Sequence, residues 1–234
     1  VRALIAKVDP ADPRAGLVDT GLLVPHWPTP YGRGAGPVEQ LVIDEELQRA
    51  AISRPDIKIA GWAVPTIVFN GTDEQRERFV MPSLRGEITW CQLFSEPGAG
   101  SDLASLRTKA VRVPGGWELT GQKVWTSLAH QAQWGITLAR TDAEVPQHKG
   151  ISYFLVDMAS PGITIAPLRE MTGEAMFNEV FLDSVFVPDE LMVGAPGDGW
   201  SLARSTLANE RVAMASTWHL RSPAQASTRS MRLG

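Results

Sequence analysis

Residues 88–102 read ITWCQLFSEPGAGSD, an apolar segment that runs into a turn rich in glycine. The apolar half has the residue types of a β-strand, and the octapeptide Ser95 to Asp102 follows it directly. Gly98 and Gly100 can adopt positive φ and let the backbone approach a bulky ligand, while Ser101 and free N–H groups could hold an anion such as phosphate. Taken alone, the octapeptide fits equally well an ordinary turn in which Ser101 begins a short helix.

The residues before this stretch predict helices joined by loops, and we expect a helical domain over residues 1–87 that is incomplete at its start. From Pro37 the apolar residues recur at helical spacing. Thr72, with Gln75 three residues later, makes a capping box that predicts a helix over Asp73 to Leu84.

After Glu87 the hydrophobic period changes to two, which predicts a central β-domain over residues 88–197. Seven or eight short strands without helices between them indicate a β-barrel or sandwich. The predicted strands are 108–113, 117–120, 123–127, 134–140, 151–157, 163–168, 179–183 and 185–187. Helical spacing resumes at Trp200, so residues 198–234 are predicted to hold the first helix of a second helical domain and an atypical tail. The expected fold class is therefore α+β with several domains.

Composition narrows the class of protein. The 234 residues are 44% hydrophobic and 21% charged, as in a globular protein with a sizeable core. A formal net charge of -4 gives no basic field, so neither nucleic acid nor membrane insertion is expected. A single cysteine, Cys91, excludes an internal disulfide, and with no secretion signal it predicts a buried thiol and a cytoplasmic protein. No metal is expected, because the histidines lack ligand-like spacing: His26, His130, His148 and His219.

Three blocks of the sequence resemble, in order and spacing, the signatures of the FAD-dependent acyl-CoA dehydrogenases. They are WCQLFSEPGAGSD at 90–102, GQKVWTS at 121–127 and NEVFLD at 178–183, the last followed by Gly199-Trp200. The resemblance covers nearly all of residues 16–215. It implies a helical domain, a β-domain and a C-terminal helical bundle, and it implies that the chain is truncated within that bundle.

The resemblance also implies that FAD lies against the first two blocks. The positions it assigns to cofactor binding are Gln92, Phe94, Ser95, Gly100, Ser101, Trp125 and Ser127. Ser95 would hydrogen-bond the flavin ring and Ser127 its N5 region, while Gly100 and Ser101 would lie near the pyrophosphate and the pantetheine arm of the substrate. Donors fixed around the ring stabilise the negative charge that it gains with the hydride.

The reaction implied is α,β-dehydrogenation of an acyl-CoA thioester, with hydride transfer to FAD and an electron-transfer flavoprotein as acceptor. A glutamate in an apolar pocket removes the α-proton. Many family members carry it far along the C-terminal domain, but a minority carry it on that domain's first helix, just before an arginine. Asn209-Glu210-Arg211 matches the minority position, so Glu210 is the candidate base and Arg211 a candidate substrate contact. The alternative for both is ordinary charge pairing on a helix surface.

Some positions depart from the family pattern. Gln92 and Phe94 replace the usual Thr or Ser, and the segment 171–177 lacks an arginine that many relatives carry, so the acyl group is left open. Plain packing in a strand is the favoured role for Trp134. Three other functions stay open: an acyl-CoA oxidase, a catalytically incomplete partner subunit that completes a neighbour's FAD site, and a carbohydrate-binding module. We expect a homo- or hetero-oligomer with related chains, and weak FAD binding by the 234 residues alone.

Overall fold

A computed structural model describes residues 1–219 except 172, 174 and 175, with side chains as far as Met214. The helices are α1 (Arg2–Ile5), α2 (Pro13–Asp19), α3 (Pro37–Arg49), α4 (Ala60–Asn70), α5 (Asp73–Arg85) and α6 (Gly199–His219). The strands are β1 (Trp90–Leu93), β2 (Lys109–Val113), β3 (Gly116–Ser127), β4 (Trp134–Arg140), β5 (Ile151–Asp157), β6 (Ile163–Leu168), β7 (Phe177–Pro188) and β8 (Met192–Val193). This order confirms the α+β class. The predicted tail from residue 220 lies outside the described residues, as do three residues of the segment 171–177.

Local capping explains the limits of α5. The Gln75 backbone N–H donates to the Thr72 hydroxyl at 3.2 Å, and the Thr72 N–H donates to the Gln75 side-chain oxygen at 3.1 Å. The helix ends at Gly86, whose φ of 79° lies in the left-handed region that favours glycine. The predicted helix is therefore confirmed, and it extends one residue further, to Arg85.

The strands form one mixed sheet in the order β6-β7-β3-β2-β4-β5-β8, with β1 parallel to β4. Strands β2 and β4 share a single pair, Lys109 with Arg140, so the sheet is nearly divided there into two halves. Trp117 of β3 packs on Phe154 of β5, with ring centroids 6.0 Å apart. The two halves therefore face each other across a core, as in a sandwich.

Two pairs of predicted strands each form one long strand in the structure. The predicted strands 117–120 and 123–127 are both part of β3, and 179–183 and 185–187 are both part of β7. The register between β3 and β7 shifts twice, and the extra residues are Trp125 on β3, with a φ of 60°, and Ser184 on β7, with a φ of 51°. Such bulges bend a strand without ending it. Gly121 does not end β3 either, because a Cβ there would lie 2.3 Å from the Thr108 hydroxyl and glycine permits that approach.

Buried hydroxyl groups fix α6 against the rest of the molecule. The Thr66 hydroxyl on α4 lies 2.7 Å from the Thr206 hydroxyl on α6, and the Tyr153 hydroxyl on β5 lies 3.2 Å from Thr206. All three side chains are buried. Helix α6 thus packs on both an N-terminal helix and the sheet. Within the described residues, no helix has the length and apolar character needed to span a membrane.

Candidate functional site

The glycine-rich loop after β1 lies against the bulged part of β3. The Val124 N–H donates to the Ser95 carbonyl at 2.9 Å, which brings the first two sequence blocks into contact. Glu96 and Ala99 exchange backbone hydrogen bonds of 2.9 and 3.0 Å and so close a tight turn. Gly98 and Gly100 are exposed, and open space surrounds the position that a Cβ would take at each. A ligand can therefore approach this backbone closely.

A buried ion pair between Glu96 and Lys123 anchors this loop. The Lys123 ammonium donates to the Glu96 carboxylate at 2.9 Å, to the Leu138 carbonyl at 2.8 Å and to the Phe94 carbonyl at 3.2 Å. Three acceptors satisfy all three N–H groups of a protonated lysine. The Glu96 carboxylate also accepts from the N–H groups of Arg107 and Thr108 at 2.6 and 2.9 Å.

The environment shifts the pKa of both partners. Burial raises the pKa of Glu96, but the Lys123 charge and the hydrogen bonds from residues 107 and 108 outweigh it and hold that pKa below its usual range. Burial lowers the pKa of Lys123, and Glu96 opposes this. Sequence reasoning missed this pair. The available signal was a lysine inside an apolar strand, since lysine is almost never fully buried without a partner.

The bulge in β3 turns Trp125 toward solvent. Its side chain is 63% exposed and meets Phe177 edge to face, with centroids 5.9 Å apart. Ser95 and Ser127 are half-buried, and in the described part of the chain neither hydroxyl has a hydrogen-bond partner. An exposed indole, two free hydroxyls and an open glycine loop suit a flat ligand with a phosphate tail. The predicted cofactor residues Ser95, Trp125 and Ser127 therefore fit FAD.

Glu210 and Gln92 meet although α6 and β1 are far apart in the sequence. The Gln92 amide nitrogen donates to the Glu210 carboxylate at 3.3 Å, and the Gln92 oxygen accepts from the Trp62 indole N–H at 2.7 Å. Trp62, Gln92 and Glu210 are all half-buried. The structure thus joins the predicted base to the first sequence block, a link that the sequence analysis did not anticipate.

Other predicted site residues lie apart from this group. The Phe94 side chain is buried and packs on Tyr153, with centroids 5.9 Å apart, so it supports the loop from the core. Arg211 is exposed and lines a surface cavity of about 450 Å³ along α6, without contact to Gln92. Gly100 and Ser101 are exposed on the loop.

Two sequence expectations about the core are confirmed. Trp134 packs in an aromatic cluster, 4.8 Å from Phe79 and 6.4 Å from Trp90 between ring centroids. Cys91 is a free, buried thiol, and burial raises its pKa to about 12, which leaves it unreactive. Across the described residues, no cluster of three His, Cys, Asp or Glu side chains is placed to hold a metal ion.

Comparison with known proteins agrees with the blocks identified in the sequence. The family model described as acyl-CoA dehydrogenase, N-terminal domain, matches residues 6–87, and that described as acyl-CoA dehydrogenase, middle domain, matches residues 91–185. Acyl-CoA dehydrogenase FadE34 of Mycobacterium tuberculosis is 66% identical over 221 residues, which are 94% of this chain and 31% of FadE34.

Solved structures show the same relationship. The Tcur3481-Tcur3483 steroid ACAD matches with a TM-score of 0.72 at 35% identity, over 85% of this chain and 52% of that chain. The ChsE4-ChsE5 complex from Mycobacterium tuberculosis matches with a TM-score of 0.68 at 33% identity, over 84% of this chain and 51% of that chain. The chain therefore spans about a third of FadE34 and about half of each structural relative. It belongs to the acyl-CoA dehydrogenase family.

Proposed function

We propose that this chain is part of an FAD-dependent enzyme that introduces an α,β double bond into an acyl-CoA thioester. Family membership supports the reaction class. The observation that carries the specific proposal is the 3.3 Å contact between Glu210 and Gln92, because it sets a carboxylate beside β1, the strand that leads into the loop that would hold the flavin. A base and a hydride acceptor must flank the same two carbon atoms in this reaction.

In this proposal Glu210 is the catalytic base. Its carboxylate takes the α-proton, the electrons of that C–H bond form the new double bond, and the β-hydrogen leaves with its electron pair. FAD, when bound, accepts that hydride.

The residues proposed to hold FAD contact different parts of it. The Ser95 and Ser127 hydroxyls donate to the ring, and Trp125 covers one part of it. Gly100 and Ser101 accommodate a phosphate or the pantetheine arm, since their backbone is open. Phe94 supports the loop from the core, where its buried side chain packs on Tyr153.

Arg211 is proposed to contact the CoA moiety. With Arg204 it gives the α6 cavity a positive charge, which suits phosphate groups.

The experiment that tests this function uses the full-length protein, purified with its FAD and with any related chain that copurifies. The holoprotein is mixed without oxygen with acyl-CoA thioesters of graded length, including one that carries a steroid. We expect the visible flavin absorbance to fall and a 2-enoyl-CoA to appear by mass spectrometry. A stoichiometric flavin that no acyl-CoA reduces would overturn the proposal.

The steroid thioester is included because one structural relative is named a steroid ACAD.

A role as partner subunit is the second candidate, because two structural relatives are named as pairs of proteins. In that case FAD binds tightly only when this protein is expressed together with a related chain. Dehydrogenase and oxidase are distinguished by the acceptor: the reduced dehydrogenase passes electrons to an electron-transfer flavoprotein, whereas the reduced oxidase reacts directly with oxygen.

A further inference from the structure

A continuous line of hydrogen bonds joins α4 to α6 through the middle of β1. It begins at the Trp62 indole N–H, which donates to the Gln92 side-chain oxygen at 2.7 Å. It continues from the Gln92 amide nitrogen to the Glu210 carboxylate at 3.3 Å. Each of the three elements contributes one side chain.

The chemistry of Trp62 fixes the direction of this line. An indole N–H can only donate, so the side-chain oxygen of Gln92 must face Trp62. A rotated amide would set two donors against each other at Trp62 and an oxygen against the carboxylate at Glu210. Gln92 therefore presents an N–H to Glu210, and this assignment follows from Trp62 rather than from a choice of amide orientation.

An N–H directed at a carboxylate stabilises its ionised form and holds one of its two oxygens in place. The bonded oxygen of Glu210 is Oε2, and in the described part of the chain Oε1 has no hydrogen-bond partner. We propose that Gln92, oriented by Trp62, is a positioning residue that holds the Glu210 carboxylate in place and directs its Oε1 at the α-proton of the substrate. The inference rests on the proposed function, in which Glu210 is the base.

The α4–α6 contact does not depend on this line, so Gln92 can be changed without freeing α6. Thr66 and Thr206 join the same two helices at 2.7 Å, and Tyr153 adds a hydroxyl from β5. Loss of the Gln92 amide should therefore alter the direction of the Glu210 carboxylate more than the packing of the helix.

The test separates proton removal from hydride transfer. The full-length holoenzyme is incubated in D₂O with the 3-thia analogue of an acyl-CoA that the wild-type enzyme oxidises, and deuterium at the α-carbon is measured by mass spectrometry. This analogue has α-protons but no β-hydrogen, so exchange reports on the base alone. FAD content, the flavin spectrum, kcat and KM are measured on the same preparations.

The decisive variant is Gln92→Glu, which keeps the size of the side chain and an acceptor for Trp62. It sets an oxygen against the Glu210 carboxylate in place of the N–H donor, so the hydrogen bond that holds Oε2 is lost and the two carboxyl groups repel each other. We expect exchange and kcat to fall about 10- to 100-fold, with KM within about twofold of the wild-type value. Gln92→Leu, which removes the donor to Glu210 together with the acceptor for Trp62, should lower exchange and kcat about tenfold.

The control is Gln40→Glu. Gln40 lies on α3, outside the sequence blocks assigned to FAD, and donates to the Ala35 carbonyl at 3.2 Å, so the variant makes the same amide-to-carboxyl change away from Glu210. We expect wild-type exchange in this variant.

Two results overturn the inference. One is exchange at the wild-type rate in Gln92→Glu. The other is a changed flavin spectrum with unchanged exchange, which would assign Gln92 to the flavin. Glu210→Gln, measured in parallel, separates the positioning role of Gln92 from the role of Glu210 as base. If Glu210→Gln abolishes exchange while Gln92→Glu does not, only the positioning role is wrong. If Glu210→Gln leaves exchange intact, the proposed base is wrong as well.

Discussion

At the scale of single residues, the Glu96–Lys123 pair has the largest expected effect on the loop. Both side chains are buried, so removing one partner leaves an uncompensated charge. We expect Lys123→Met to lower the free energy of unfolding by about 3–5 kcal/mol, measured by urea denaturation. The double variant Lys123→Met with Glu96→Leu should recover part of this loss, because it buries no charge. An unchanged urea midpoint in the single variant would contradict a charged pair.

The same pair predicts a dependence of stability on pH. Since the folded-state pKa of Glu96 lies below its ordinary value of 4.5, the carboxylate stabilises the fold fully above that value, and this contribution is lost as the pH falls through the folded-state pKa. The difference in unfolding free energy between the wild type and the double variant should therefore move steadily against the wild type in acid. A difference that stays constant below pH 4.5 would show that Glu96 does not titrate in this way.

Trp125 gives a test of backbone strain. A φ of 60° is costly for a bulky residue and free for glycine. Both Trp125→Ala and Trp125→Gly lose the Phe177 contact, so comparing them isolates the backbone. We expect the glycine variant to be more stable than the alanine variant by about 1 kcal/mol in thermal or urea unfolding, the reverse of the usual order in a strand. An alanine variant of equal or greater stability would mean that the bulge is unstrained.

At the scale of elements, α6 depends on the buried hydroxyls of Thr66 and Thr206. Thr206→Val alone removes the hydroxyl that Thr66 and Tyr153 both contact and should cost about 1–3 kcal/mol. Adding Thr66→Val should cost little more, because the Thr66 hydroxyl has already lost this contact. A double-mutant cycle on unfolding free energy measures this, and strictly additive losses would contradict a direct contact.

The sequence predicted the elements whose signals are local. The capping box at Thr72 and the alternating strand 134–140 are each signalled within a few residues, and both are present in the structure. The continuity of β3 and β7 was not predictable, because Gly121 and Ser184 resemble turn residues and the register shifts depend on the partner strand. A bulge leaves no periodic mark in one strand read alone.

For the candidate site, too, the sequence predicted the local segments but not the contacts between distant residues. The blocks at 90–102 and 121–127 identified the loop and the strand that meet at Ser95 and Val124. The contact of Gln92 with Glu210 joins residues 118 apart, and Phe94 turns inward because Tyr153 faces it. Such pairings follow from packing between elements that lie far apart in the sequence, which no local pattern encodes.

At the scale of the whole molecule, the fold brings Glu210 of α6 to Gln92 of β1. In the proposed function, this carboxylate removes the α-proton of the acyl-CoA. The chain spans about half of its structural relatives.

The most direct measurement of that claim is single-turnover flavin reduction by an acyl-CoA in the full-length holoenzyme, comparing the wild type with Glu210→Gln. Glu87→Gln, at an exposed glutamate between α5 and β1, serves as the control. With equal FAD content in all three proteins, we predict that Glu210→Gln reduces flavin at least about 100-fold more slowly and that Glu87→Gln matches the wild type. Flavin reduction at the wild-type rate in Glu210→Gln would contradict the account.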